Sequence, residues 1–331
     1  MGDFREYLKL IKFHSVGFTT VIPIIGAAAT GEMNWSIFFQ LGTVGVLVHI
    51  FGFAMNEHRD IEIDRRAAEL HSKPLVKGSI SPKTAFWIYQ SAWVMALAVN
   101  YLFFRQILSV GLLAVSILFG ALYNLYSKKL AYVEMLLGGW TFFFVLSGNA
   151  AVHGQVDSLG FIVAAVSFFQ ILYNTGISGA FKDCDHDPRG KGETTPLRMG
   201  VRVVQGRINI PGKFIIYSFL VKSAQVGVIL VPFTLGMIPS SGTVRAFQLI
   251  TIVILTFLVF YLTKYYLSLR YFNRDKILNP LAAIEVFSYM MAPVMLLGMI
   301  DRIELLVLAI YPFALAVPLV PLIYKRIIPV V

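Results

Sequence analysis

Asn56, Asp60 and Asp64 follow one another at intervals of four residues, and Asp183 and Asp187 repeat that interval later in the chain. At about 3.6 residues per turn a step of four returns a side chain to nearly the same helical face. The first set therefore predicts a stripe of oxygen-bearing groups about 12 Å long at a helix end, and the second set a shorter copy of it. Clustered carboxylates repel one another and need cations to stay ionised near an apolar phase. Carboxylate and amide oxygens suit a hard cation, and magnesium typically takes one or two carboxylates and completes its shell with substrate phosphates. Softer chemistry has few ligands here: Cys184 is the single cysteine, which excludes an internal disulfide, and the histidines form no cluster. Arg65, Arg66, Lys73, Lys77, Arg189 and Lys191 lie beside the acids and match the remaining oxygens of a phosphate. A magnesium-borne diphosphate accounts for both sets of charge. Solvated helix ends are the simpler account of one such pair; two pairs, each at an apolar boundary and each followed by a basic loop, favour a site.

The elements that must position these acids are membrane helices. The chain has 331 residues, 57% hydrophobic and 14% charged. Soluble domains carry roughly 25% charged residues, so this chain has too little polar surface to cover itself in water. Ten apolar segments are long enough for spanning helices of about 20 residues: 14–30, 35–55, 84–104, 107–126, 133–152, 159–180, 214–237, 245–263, 280–300 and 303–324. The expected fold is an all-α polytopic transmembrane bundle of nine or ten helices forming a single domain over 1–331. With a cytoplasmic N-terminus, 24 of the 28 Lys and Arg residues fall on the cytoplasmic side, as the positive-inside rule requires. That bias explains the net charge of +10 and leaves nucleic acid without support as a partner.

Two long cytoplasmic loops, 56–83 and 181–213, hold nine of the 18 acidic and 13 of the 28 basic residues. Both run from an acidic pair to a similar return, Pro74-Leu75-Val76-Lys77-Gly78 and Pro196-Leu197-Arg198-Met199-Gly200. They read as a weak parallel repeat whose acids face a shared site. A diphosphate that enters a membrane must carry a long hydrocarbon, which points to a prenyl chain lying among helices rich in Phe and Tyr.

At these residues the sequence resembles the UbiA superfamily of intramembrane prenyltransferases. The first family motif, NDxxDxxxD with an Arg-Pro-Leu-x-x-Gly segment, is similar to Asn56 through Asp64 with Lys73 through Gly78. Glu57 and Lys73 stand where the family usually has Asp and Arg. The second motif is similar to Asp183 through Asp187 with Gly190-Lys191-Gly192-Glu193-Thr194-Thr195-Pro196, and Tyr126-Ser127-Lys128 looks like a further family segment. The resemblance implies nine helices around a central cavity capped by the two loops. It further implies that Asn56, Asp60, Asp64, Asp183 and Asp187 hold Mg2+ and diphosphate, that Lys73, Lys128 and Lys191 contact diphosphate oxygens with Arg66 and Arg189 nearby, and that Tyr126 lines the reaction centre. The implied reaction is prenyl transfer from a polyprenyl diphosphate to a lipophilic acceptor, first a quinone-precursor aromatic, second an isoprenoid glycerol phosphate. A membrane terpene cyclase or diphosphate hydrolase shares the same donor site.

From a different class, an ion-coupled transporter or cation channel also uses repeats and buried charge. Transporter sites lie near the midplane, whereas these acids are expected at helix ends, which favours the enzyme. Lys222 and Glu285 are ionisable residues within apolar segments, a position that by default marks a pathway or a site.

Overall fold

The computed structural model describes residues 3–66, 70–127, 129–184 and 194–324, the side chain of Asp275 excepted. A short α1 (Phe4–Leu10) leads into α2 (Val16–Ala28), bent from it by 56°. The long α3 (Trp35–Asp64) is followed by the one-turn α4 (Pro74–Lys77), then α5 (Pro82–Phe104), α6 (Ile107–Tyr126), α7 (Glu134–His153) and α8 (Ser158–Lys182). A second one-turn helix, α9 (Thr195–Arg198), precedes strands β1 (Arg202–Val204) and β2 (Arg207–Asn209). The chain ends in α10 (Gly212–Thr234), α11 (Gly242–Leu267), α12 (Arg274–Met295) and α13 (Arg302–Tyr324). All ten apolar segments are helical. Among the described residues eight helices are long and apolar enough to cross a membrane, or nine with the bent α1 and α2 taken as one span. The remaining long helix, α5, has 23 residues but carries Gln90, Ser91 and Asn100. Asn100 is buried against Ser109 at 2.9 Å, which keeps one of those polar groups out of lipid.

Helix ends are set locally. Asn34, Ser81, Asp157, Ser241 and Asn273 cap α3, α5, α8, α11 and α12 by accepting a hydrogen bond from a first-turn backbone N–H. The centre of the bundle is α2, which is buried along nearly its whole length between α3, α7 and α13. Small residues permit that approach: a Cβ on Gly26 would run into the Val145 carbonyl, and one on Gly148 into the Pro23 carbonyl. Outward faces carry Leu220, Ile250, Val253, Phe257 and Val317 exposed, as a lipid-facing surface requires.

The repeat inferred from sequence is visible in the backbone. Both returns form a single helical turn with proline at its start, and both end on a glycine of positive φ, Gly78 at 81° and Gly200 at 89°. The chain then folds back on that turn, Ile80 N–H to Pro74 O at 3.4 Å and Val201 N–H to Pro196 O at 2.9 Å. Three expectations need correction. The segment from 56 is not loop at its start, because α3 continues through Asp64. Asp183 lies just beyond the last residue of α8, with φ −104°, so the described part of the second motif is a helix cap and not a helical stripe. The purely helical expectation also missed the β1–β2 hairpin. It closes through Gln205 and Gly206, both at positive φ, the geometry of a tight two-residue turn. Helical periodicity could not reveal it, since three-residue strands are too short to show a pattern.

Candidate diphosphate and metal site

The last two turns of α3 carry the first acidic set. Asn56 donates its amide to Asn124 Oδ1 at 3.3 Å, and Asn124 donates to Gly52 O at 3.1 Å. The first bond uses the Asn56 nitrogen as donor and leaves its Oδ1 as the atom available to a cation. Glu57, Asp60 and Asp64 are all buried. Such carboxylates require counter-charge, and Lys73 supplies it: its ammonium lies 2.9 Å from Glu57 Oε1 and 2.8 Å from Asp64 Oδ2. Lys12, at the bend between α1 and α2, adds a second cation 3.4 Å from Glu57. Burial alone would depress the Lys73 ammonium, but Glu57 and Asp64 outweigh it and hold its pKa above the ordinary lysine value.

The first loop is fixed to the N-terminal segment. Ser79 donates to Glu6 at 2.9 Å, and Leu10, Ile61, Leu75, Ile80 and Ala85 form a small apolar cluster beneath it. On the opposite loop Asp183 accepts from Arg274 at 3.0 Å, which brings the start of α12 level with the end of α8. The return of that loop is anchored too: the Thr195 hydroxyl donates to the buried Glu134 carboxylate at the start of α7, and Tyr132 N–H donates to Thr195 Oγ1 at 3.0 Å. Above Asp183, α8 widens into π-helical turns over Leu172–Gly179, a feature frequent at functional sites.

The structure thus gathers Asn56, Asp60, Asp64 and Lys73 at one helix end, and gives Asp183 a separate basic partner. Arg66 is exposed just past α3, and Tyr126 is exposed at the end of α6. Lys128, Asp187, Arg189 and Lys191 lie outside the described residues. Sequence reasoning missed Lys12 and Arg274 as partners of the acids; their signal was a basic residue at the mouth of an apolar segment. It also missed that Glu57, the departure from the family's Asp, serves as the hub of two lysines. Among the described residues no group of three or more His, Cys, Asp and Glu side chains converges as a metal site. A donor set of amide and carboxylate oxygens still fits magnesium, which draws the rest of its shell from phosphate and water.

Known proteins resemble the chain in sequence and in fold. A 4-hydroxybenzoate octaprenyltransferase of Janthinobacterium sp. (strain Marseille) is 25% identical over 183 residues, 53% of this chain and 63% of that protein. A protoheme IX farnesyltransferase of Citrobacter koseri is 28% identical over 220 residues, 62% of this chain and 71% of that protein. The chain therefore spans roughly two thirds of the length of these curated relatives. Among solved structures, a digeranylgeranylglyceryl phosphate synthase superposes with a TM-score of 0.67 at 20% identity, covering 89% of this chain and 97% of that one. A UbiA homolog from Archaeoglobus fulgidus bound to GPP and Mg2+ superposes with a TM-score of 0.62 at 15% identity, covering 94% and 99%. At such identities the likeness shows the fold. The profile of the UbiA prenyltransferase family matches residues 16–277, from the first turn of α2 to the first turn of α12 and across both acidic motifs, and the chain is a multi-pass integral membrane protein that belongs to that family.

Proposed function

We propose that this protein transfers a prenyl group from a polyprenyl diphosphate to a lipophilic acceptor within the membrane, with Mg2+ and with release of diphosphate. The observation that carries the reading is the buried carboxylate stripe at the end of α3, clamped by Lys73 and Lys12. Its place at a helix end, away from the middle of a span, speaks against an ion-transport pathway. The clustering of basic residues supports an orientation with the N-terminus and both motif loops in the cytoplasm.

Asn56, Asp60, Asp64, Asp183 and Asp187 are the residues to hold Mg2+, which when bound supplies Lewis-acid stabilisation of the leaving diphosphate. Lys73, Lys128 and Lys191, with Arg66 and Arg189, neutralise the charge that develops on the diphosphate oxygens. Departure of diphosphate breaks the bond to the first prenyl carbon and leaves an allylic cation, which the acceptor attacks through an aromatic carbon or a hydroxyl, the proton displaced there passing to the released diphosphate. Tyr126 borders that centre, and the apolar bundle keeps water away from the cation. The relatives act on 4-hydroxybenzoate and protoheme by name, which supports a quinone-precursor aromatic as the first acceptor class.

The test is calorimetric titration of detergent-purified protein with geranylgeranyl diphosphate, with and without Mg2+. Binding that needs Mg2+ and is lost in Asp60→Asn and in Asp183→Asn supports the site. Wild-type protein that shows no Mg2+-dependent binding overturns the reading.

A further inference from the structure

Deeper in the bundle a second polar cluster joins three helices. Lys222 of α10 is fully buried and directs its ammonium to Gln225 Oε1 at 2.9 Å, Ser288 Oγ at 2.9 Å and Gln170 Oε1 at 3.5 Å. The face of the Tyr173 ring covers it, 4.2 Å from the nitrogen to the ring centroid. From Gln170 the bonding continues toward α12: Gln170 Nε2 donates to Asn174 Oδ1 at 3.4 Å and to the Glu285 backbone carbonyl at 3.3 Å, and Asn174 Nδ2 donates to Glu285 Oε1 at 3.0 Å. Two side-chain amides with aligned dipoles thus link a cation at one end to a carboxylate at the other.

The two ends differ in access. The Lys222 ammonium is saturated by protein groups, whereas Glu285 lines a cavity of about 100 Å³ among α2, α7, α8, α10 and α12. The opposing wall is apolar, formed by Phe18, Val21, Ile22 and Ile25 of α2, with the Tyr289 ring beside Glu285 on α12. Among the described residues Asn174 is the one side chain that donates to Glu285. A carboxylate facing an apolar cavity within a span is costly unless it has a use. A purely structural ion pair would place ammonium and carboxylate in contact; here the amides hold them apart and leave the carboxylate on the cavity wall. What the cavity offers a ligand is therefore a mostly apolar slot that takes at most a single ring, since it is smaller than the engineered cavity of about 150 Å³ that admits benzene, with the Glu285 carboxylate on its wall.

Depth places this cavity relative to the diphosphate site. Arg274, the first residue of α12, bonds Asp183, and Glu285 follows about 16 Å further along the same helix. Helical side chains tilt toward the N-terminus of their helix, so Glu285 leans back toward the Asp183 end. That lean shortens the separation between Glu285 and the acid-bearing end of the bundle.

We propose that Glu285 binds the acceptor substrate, accepting a hydrogen bond from the hydroxyl of a phenol or hydroquinone ring seated in this cavity, and that Lys222 is a positioning residue that fixes the orientation of the carboxylate through Gln170 and Asn174. The assignment rests on the prenyl-transfer reading and narrows its acceptor to a ring that presents a hydroxyl donor to Glu285.

The experiment measures transfer from geranylgeranyl diphosphate to 4-hydroxybenzoate, 1,4-dihydroxy-2-naphthoate and geranylgeranylglyceryl phosphate by full-length protein in detergent, alongside Mg2+-dependent binding of the donor. Glu285→Gln is expected to raise KM for the aromatic acceptor by about ten- to a hundredfold, the effect of a lost charged hydrogen bond, with donor affinity changed by less than about twofold. Glu285→Asp restores part of the loss. Lys222→Met reproduces the Glu285→Gln effect, and the double variant is no worse than either single one. An unchanged acceptor KM in Glu285→Gln, or an equal loss of donor binding, overturns the assignment. Transfer only to the glycerol phosphate, or to no member of the panel while the donor still binds, also overturns it and leaves the diphosphate site standing. Failure of wild-type protein to bind the donor at all sinks the prenyl-transfer reading itself.

Discussion

Lys73 is the residue on which the acidic stripe most depends. It is largely buried between two buried carboxylates, and removing one partner of such a cluster leaves uncompensated charge, typically at a cost of about 3 to 5 kcal/mol. Lys73→Met should therefore lower the melting temperature in detergent and abolish diphosphate binding. Adding Glu57→Gln should recover part of the stability without recovering binding; a double variant no more stable than the single one would count against the ion-pair account. The pH dependence has a definite sign. The folded pKa of Lys73 is raised, so its contribution is fully present below the unfolded lysine value of about 10.4 and disappears as pH rises through the folded value. Melting curves of wild type and Lys73→Met should thus run parallel between about pH 6 and 9 and converge only above about pH 10.5. The Asp183–Arg274 pair is half exposed on both sides, and exposed pairs contribute roughly 0 to 1 kcal/mol. Arg274→Ala is a probe of the site and not of stability.

At the scale of elements, the crossing of α2 with α7 is set by backbone contact at Gly26 and Gly148. Gly148→Ala places a methyl group against the Pro23 backbone, and overpacking of this kind costs about 1 to 3 kcal/mol. Gly52 of α3 has open space around its would-be Cβ, so Gly52→Ala should be neutral or stabilising by up to about 1 kcal/mol, because alanine loses less backbone freedom in a helix. A thermal shift in which Gly52→Ala is as damaging as Gly148→Ala would refute the close-packing explanation. The π-helical turns of α8 belong to the same scale. They let Tyr173 reach Thr263 and Tyr266, at 2.9 Å each, while the adjacent Asn174 serves Glu285 on another helix.

Over the whole molecule, the two motif loops and the deep polar cluster are separate stations along one bundle, joined by α8 and α12. In the proposed function substrate phosphates complete the metal shell, so chelation of the free protein should leave its melting temperature nearly unchanged. Mg2+ and geranylgeranyl diphosphate together should raise it, by the equivalent of about 2.7 kcal/mol at a hundredfold excess over Kd. Stabilisation by the diphosphate alone, equal to that with Mg2+, would argue that the lysines bind it without metal.

Much of this was legible in the chain, and the division follows the range of the interactions. Membrane spans are local: a backbone in lipid must satisfy its own hydrogen bonds, so an apolar run of sufficient length declares a helix wherever it sits. Asn56, Asp60 and Asp64 share a face for the same local reason, and the two proline-to-glycine returns carry their turn chemistry in a few residues. Pairings between distant segments were beyond sequence reasoning. That Lys12 would meet Glu57, that Arg274 would meet Asp183, and that Gln170 and Asn174 would connect Lys222 to Glu285 depends on how closely helices approach. Glycines such as Gly26 and Gly148 allow that approach, and neither charge nor periodicity announces the partner. The sequence alone determined a polytopic bundle with an acidic, basic-flanked site at one side of the membrane; only the tertiary structure decided which charges neutralise one another and which carboxylate is left facing a cavity, because those outcomes arise from side chains on different helices competing for the same buried space.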